Sequence, residues 1–452
     1  MSANIFTKIS QKLKPLDSWA DKLALAVCLL ISIKLSLSYI FLIPLILWYL
    51  IRHFSISKIL ASELKPYFLP LFYLLILIIV SAPFGRSFNN SLAEAFKFFF
   101  LLLIIPCFFE LSKKHNPFRF IAALAIGQSI AALHTVLQTG FPETFKRLFI
   151  GEVTEAGQLA ISVPLLFGAA LFLILINKEE EWLKSMTFHI LRGSILIISL
   201  ALFAFHTALN CSIESLSLIS AIILGFIGWA LITGFKTLHK NPVPVGLKLL
   251  CSTVLPIVIA GLVSNLKRGP WFGAFCAGIL LILLYKRRLI PVVLFGAALA
   301  WWIDPIHQRI LGSYNDFVIA GGRSEIWEIG AEMLLKYPIG IGYENSDLLR
   351  TFSQQIPPEL THFHSNPINI AVELGWVGLF LYLWWVFETC KPLFSNARTK
   401  ISLGIAISAA LLSLQLAGLV EYNFGDSEVI IIAYILVGLL PYSLRTTNSS
   451  MS

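Results

Sequence analysis

The sequence predicts an all-α polytopic membrane protein with about 12–14 transmembrane helices and one large extramembrane loop before a late helix. Three observations predict it. Of the 452 residues, 57 % are hydrophobic and only 13 % are charged, with a mean hydropathy of +0.81; an ordinary soluble domain carries roughly 25 % charge. Apolar runs of helix length follow one another with short polar breaks, so the chain reads as one helical membrane domain and not as the about three soluble domains its length would suggest. Basic residues cluster at every second break, the pattern that topology imposes on spanning chains.

Taken in order, residues 1–22 carry Lys8, Lys12 and Lys14 among Ile5, Phe6, Ile9 and Leu13, which suits a basic amphipathic segment on the cytoplasmic surface. No small-residue cleavage site follows, so it is not read as a removable signal. Residues 23–303 are the first membrane block. Leu23–Ile51 is too long for one upright helix, and Lys34 with Ser32, Ser36 and Ser38 favours a tight hairpin of two short ones. Further spans are expected at Tyr67–Pro83, Leu92–Leu111, Phe118–Leu137, Ala156–Ile176, His189–Ala208, Leu216–Phe235, Leu249–Ser264, Trp271–Tyr285 and Ile290–Ile303. After a loop at 304–364 come Ile368–Thr389, Ile401–Val420 and Val429–Leu444 within 365–444, then a cytoplasmic tail at 445–452.

The hairpin counted as two gives about fourteen crossings, with both termini on one side. With that side inside, the inner breaks carry Arg52, Lys58 and Lys65; Lys113, Lys114 and Arg119; Lys178 and Lys184; Lys236 and Lys240; Lys286, Arg287 and Arg288; Lys391, Arg398 and Lys400; and Arg445. Positive charge on the outer side gains nothing from topology. Arg86, Lys146, Arg147, Lys267, Arg268, Arg309, Arg323, Lys336 and Arg350 lie there, and either solvated loop positions or an anionic ligand account for them. The formal charge of +9 forms no continuous stripe, which argues against nucleic acid as a partner. Cys28, Cys107, Cys211, Cys251, Cys276 and Cys390 are scattered and make neither a disulfide framework nor a CxxC site. Glu94, Lys97, His134 and His206 fall inside apolar runs, where they face a cavity or pair with one another.

The loop is the only large segment without a spanning run, and long loops of this kind are usually functional. In Arg323–Lys336 the residues Ile326, Trp327, Gly330, Met333 and Leu334 fall on one helical face, as in an amphipathic surface helix or an ordinary packing helix. Gly321-Gly322-Arg323 opens that helix, so Arg323 is expected beside free N–H groups that favour an anion. The following Pro338-Ile339-Gly340-Ile341-Gly342 would let backbone approach a ligand closely. Thr361-His362-Phe363-His364-Ser365-Asn366 closes the loop at the membrane boundary. Two histidines fall short of a zinc set, and a neutral imidazole suits a general base for a sugar hydroxyl. Loop anchoring is the plainer role for His362.

In combination, Lys267-Arg268-Gly269-Pro270-Trp271, then the Arg323–Gly342 run, then His362–Leu379 with its Glu373-Leu374-Gly375 turn resembles the O-antigen ligase and polymerase superfamily. The resemblance is strongest over Ser264–Leu379. It implies a membrane glycosyltransferase of the bacterial inner membrane whose site faces the periplasm. Arg268 and Arg323 match the family's arginines and His364 its histidine. Ser365 stands where the family usually has Asn, with Asn366 one residue later, and Lys267 replaces a common serine.

From the resemblance follow the expected partners: an undecaprenyl-pyrophosphate-linked glycan donor, a lipid A-core or glycan acceptor, and membrane lipids. His364, Arg268 and Arg323 are the expected catalytic residues. Lys267, Arg147, Arg86 and His362 are the expected substrate contacts, with no metal and no cofactor. Arginines would hold the pyrophosphate in charge-assisted hydrogen bonds, His364 would deprotonate the attacking hydroxyl, and one displacement with inversion follows. A ligase is preferred to a polymerase on the compact loop and length. A lipid-linked sugar transporter or flippase is the reading of another class, and it calls for internal repeats that the sequence does not display.

Overall fold

The protein is described by a computed structural model over residues 14–84, 88–140, 156–176, 180–210, 218–237, 245–319, 321–353, 356, 360–395 and 401–445. Every regular element among these residues is helical. Lipid offers backbone groups no partner, so spanning segments must satisfy their own hydrogen bonds.

The expected hairpin is present as α1, Lys14–Leu30, and α2, Leu35–Arg52, turned by Ile33 and Lys34 N–H groups on the Leu30 carbonyl. The first helix thus starts at Lys14, within the segment read as lying on the surface; Lys8 and Lys12 fall outside the described residues. Next come α3, Lys65–Ser81, then α4, Phe88–Leu102, and α5, Ile104–Lys114, which together make one apolar crossing from Ser91 to Lys114. After α6, Phe118–Gly140, α7, Ala156–Ile176, and α8, Glu180–Asn210, follow α9, Leu218–Thr237, α10, Leu255–Ser264, α11, Arg268–Tyr285, and α12, Ile290–Trp301. A loop helix, α13, Arg323–Lys336, precedes α14, Asn366–Ser395, α15, Leu403–Ala417, and α16, Ser427–Arg445.

Among the described residues, ten helices are long and apolar enough to cross a membrane. The other expected crossings coincide with helices α1, α9, α12 and α15, which are not among those ten. Burial is deepest around α15 and α16, whose side chains are almost all enclosed. Without a hydrophobic force between helices in lipid, small residues bring backbones together. A Cβ on Gly273 of α11 would stand 2.3 Å from the Ser413 carbonyl of α15, and one on Gly438 of α16 would stand 2.5 Å from that of Ile105. The first contact seats α11 on α15 and the second seats α16 on α5; α15 also packs on α16, and the ends of α11, α15 and α16 on one side frame the site described below.

The long loop folds on itself. Ile326, Ile329 and Met333 of α13 pack with Ile341, Leu349, Ile356 and Phe363 in a small separate core, so the apolar face of α13 turns into that core as a packing helix. The glycine run after α13 also differs from its expected role. Helix α14 is broken at Gly375, whose φ of 69° and ψ of −168° are non-helical, leaving the carbonyls before the kink without helical partners. Ile341 and Gly342 donate to the Val372 and Glu373 carbonyls at 3.1 and 2.9 Å, and Trp376 N donates to Pro338 O at 3.2 Å. The close approach that Gly340 permits is therefore to the α14 kink and not to a ligand: a Cβ there would lie 2.3 Å from Glu373 O.

Glu94 and Lys97 pair with each other across one helical turn at 3.0 Å. His134 is buried in α6, and the His206 side chain lies outside the described residues.

Candidate active site

The loop enters α14 through His362, Phe363 and His364. Phe363 is fully buried in the loop core; its carbonyl accepts from Trp327 Nε1 at 3.0 Å and its N–H donates to Asn369 Oδ1 at 3.2 Å. With Phe363 anchored on both sides, the chain swings His364 into the left-handed region, at φ 48°. A non-glycine residue there costs of order 1–3 kcal/mol and persists where its surroundings over-determine it. The two histidine rings sit 4.4 Å apart, and Tyr422 lies 5.5 Å from His362.

Opposite them stands Glu421, from the turn between α15 and α16. One carboxylate oxygen takes a hydrogen bond from Arg323 Nη2 at 3.2 Å, while the other lies 4.0 Å from His364 Nδ1. Asn366, at the head of α14, holds this turn: its N–H donates to Gly418 O at 2.7 Å, and its Oδ1 accepts from Phe424 N at 3.0 Å. Asn366 thus supports the turn that carries Glu421.

The N-terminus of α11 closes the remaining side. Lys267 is its extended cap residue and Arg268 its first helical residue. A Cβ added to Gly269 would lie 2.9 Å from Glu421 Cγ, which puts the start of α11 directly against the glutamate. Burial lowers the His364 pKa from its ordinary value, and the positive charges of Arg323 and Lys267 lower it further. His362 is held down at about 4 by burial and by His364, against an opposing pull from Glu421. Both imidazoles are therefore neutral at neutral pH and can accept a proton. Asp426, at the end of the same turn, is pushed up to about 6 by burial and by Glu428.

The expected anion seat at the start of α13 is partly taken by the helix's own Glu325. Its Oε2 accepts from Gly321 N at 2.8 Å and its Oε1 from Ser353 Oγ at 2.6 Å; these bonds lower its pKa. A carboxylate of the protein's own thus sits at the turn that leads into Arg323, whose guanidinium is bonded to Glu421. Of the residues expected from sequence, Lys267, Arg268, Arg323, His362 and His364 gather around Glu421, whereas Arg86 and Arg147 lie outside the described residues. Glu421 and Tyr422 were missed. The signal available for them was the acid-rich turn Glu421–Glu428 between two late spans.

Residues 251–383 match the family model described as O-Antigen ligase. That segment belongs to the O-antigen ligase superfamily. The O-antigen ligase segment carries Lys267, Arg268, Arg323, His362 and His364 and stops short of Glu421. Membership supports a ligase- or polymerase-type glycosyltransferase of lipopolysaccharide biosynthesis, acting on a lipid-linked glycan and a glycan acceptor. No curated protein matches the chain.

Proposed function

We propose that the chain moves a glycan from undecaprenyl pyrophosphate to a sugar hydroxyl of a lipid A-core acceptor at the periplasmic face of the bacterial inner membrane. The observation that carries this reading is the convergence of Arg323 and a neutral His364 on Glu421, with the Lys267 charge acting on His364. A departing pyrophosphate develops negative charge, and Arg323 and Arg268 are the groups to receive it in bidentate, charge-assisted hydrogen bonds. In the free site Arg323 spends its charge on Glu421, so an arriving pyrophosphate competes with that carboxylate. His364 Nδ1 faces Glu421, which leaves Nε2 to take the proton of the attacking hydroxyl. As that proton arrives, Glu421 stabilises the imidazolium. Attack on the anomeric carbon opposite the leaving group inverts its configuration. The guanidinium groups supply the positive charge, and no metal is part of the scheme.

The test is glycan transfer in membranes with lipid-linked donor and lipid A-core acceptor, run with a chelator for the wild type, His364→Ala, Arg268→Ala and Arg323→Ala. Transfer that survives chelation and falls by about 10²–10⁴-fold in His364→Ala, the usual contribution of a general base, is expected. Chain lengthening without transfer to lipid A-core would make the protein a polymerase. Full activity in all three variants would remove the proposed centre, and transfer no greater than in membranes without the protein would return the transporter reading.

A further inference from the structure

Helix α12 holds 12 residues, Ile290–Trp301, a rise of about 18 Å, against roughly 30 Å of hydrocarbon in a bilayer. The chain therefore leaves α12 before it has cleared the acyl chains. Two short helices follow, Asp304–Leu311 and Ser313–Val318. Gly312 between them keeps right-handed helical angles, φ −64° and ψ −6°, so one helical face runs through both. Ile306, Ile310, Tyr314 and Phe317 recur on that face at i, i+4, i+8 and i+11, with Val318 and Leu311 at its border, while Asp304, Gln308 and Asn315 recur on the opposite one.

We propose that residues 304–319 form an interfacial segment whose apolar stripe rests among the acyl chains of the leaflet on the site's side. The stripe is anchored at both ends. Ile306 is buried with Ala201 of α8, and the Phe317 ring meets Trp327 of α13 edge-on at 5.5 Å. Between these anchors it lies open: Ile310 is 40 % exposed, Tyr314 71 % and Val318 47 %. Uncovered apolar surface of this extent outside the spanning helices marks an interaction site. Its continuity with α12 selects lipid as the occupant over a second copy, because the exposed Leu294 and Phe295 of α12 lead into it through the exposed Trp301 and Trp302. Tryptophan and tyrosine are the rings that settle at a membrane interface. Asp304, His307, Arg309 and Asp316 leave the segment without net positive charge, so apolar burial and not attraction to anionic headgroups holds it there.

The segment is tied to both arginine-bearing helix starts of the site. Arg309 Nε donates to Leu266 O at 3.1 Å, beside Lys267 and Arg268. Phe317 O accepts from Ser324 Oγ at 2.8 Å and Ile319 O from Gly322 N at 2.7 Å, on either side of Arg323. A seat in lipid thus sets the height of Arg268 and Arg323 against the headgroups, where the pyrophosphate of a lipid-linked donor stands. That consequence rests on the glycosyl-transfer reading above; the lipid seat does not.

The experiment uses the full chain, freed of native cysteines, in nanodiscs of neutral phosphatidylcholine loaded with one copy each. An environment-sensitive fluorophore is placed by Tyr314→Cys or Val318→Cys on the apolar side and by Gln308→Cys or Asn315→Cys on the polar side, each variant checked for an unchanged thermal midpoint. Two quenchers are compared: iodide in the water, and phosphatidylcholine spin-labelled high on the acyl chain, to match an apolar face about 5–10 Å into the headgroup–acyl boundary. Labelled lipid is expected to cut the emission of the Tyr314 and Val318 probes on the order of threefold while iodide barely touches them, and the Gln308 and Asn315 probes should show the reverse. Equal quenching by iodide at all four positions places the segment in water and overturns the proposal. Apolar-side probes shielded from iodide yet untouched by labelled lipid are covered by protein, which overturns it too. No glycan enters either readout, so the two readings fail separately. A chain that transfers nothing but shows the expected quenching keeps the seat, and a chain that transfers glycan with all four probes in water loses the seat alone.

Discussion

Three influences oppose protonation of His364: burial first, then the guanidinium of Arg323 and the ammonium of Lys267. A general base with a lowered pKa stays deprotonated further into acid, so the acid limb of kcat/KM should fall below the ordinary histidine range of about 6.5. Lys267→Met removes one opposing charge without touching the imidazole. The His364 pKa then rises, protonation sets in earlier on acidification, and the acid limb moves to higher pH. Because Lys267 is exposed, salt should shrink the difference between the two profiles. A limb that stays in place at low salt would mean that another group sets the pH dependence. His364 and Arg323 were legible because each stands at a recognisable break, a helix entrance or a helix start. Glu421 was not, since its contact with Arg323 spans 98 residues of sequence and only the folded bundle shows which loop meets which.

The elements that aim these side chains are held by backbone and not by side-chain charge. The break in α14 and the glycine run after α13 interlock, each supplying the partners that the other lacks. Apolar periodicity made α13 and α14 legible as helices, yet it could not show the kink, because the pattern continues through Gly375 while the hydrogen-bond ladder does not. Gly375→Ala would place a Cβ 2.3 Å from Pro338 O at a φ of +69°, and Gly340→Ala meets Glu373 O at the same distance at a φ of +96°. Strain of this kind costs of order 1–3 kcal/mol before any clash is added. Both variants are expected to melt at lower temperature in detergent, followed by intrinsic tryptophan fluorescence. They should also lose activity beyond what their stability explains, since α14 carries Asn366, which holds the Glu421 turn. An alanine variant with wild-type melting would show that the interlock does not hold the kink. Asn366→Leu tests the other support: it keeps the backbone bond to Gly418 O but loses the side-chain oxygen that accepts from Phe424 N, so the Glu421 turn loosens, and kcat should drop with little change in the melting of the bundle.

At the scale of the whole molecule, the alternation of helices brings the starts of α4, α11, α14 and α16 to one end of the bundle, together with the loop core. Ser91 touching Tyr343, Asn366 touching Gly418 and Arg309 Nε donating to Leu266 O at 3.1 Å are the contacts that join them. Which way this end faces is argued from charge. Lys286, Arg287 and Arg288 lie at the opposite end of α11 from Lys267 and Arg268, and from the bias of basic residues toward the cytoplasm we propose that the triplet lies inside and the site outside. Cysteine labelling decides it. In a background freed of native cysteines, Leu335→Cys on the exposed side of α13 should react with a membrane-impermeant maleimide added to cells with a permeabilised outer membrane. Arg287→Cys should react only after the inner membrane is broken. The reverse pattern would place Arg268, Arg323 and His364 in the cytoplasm, away from a periplasmic lipid-linked donor, and transfer at that face could not then proceed through them.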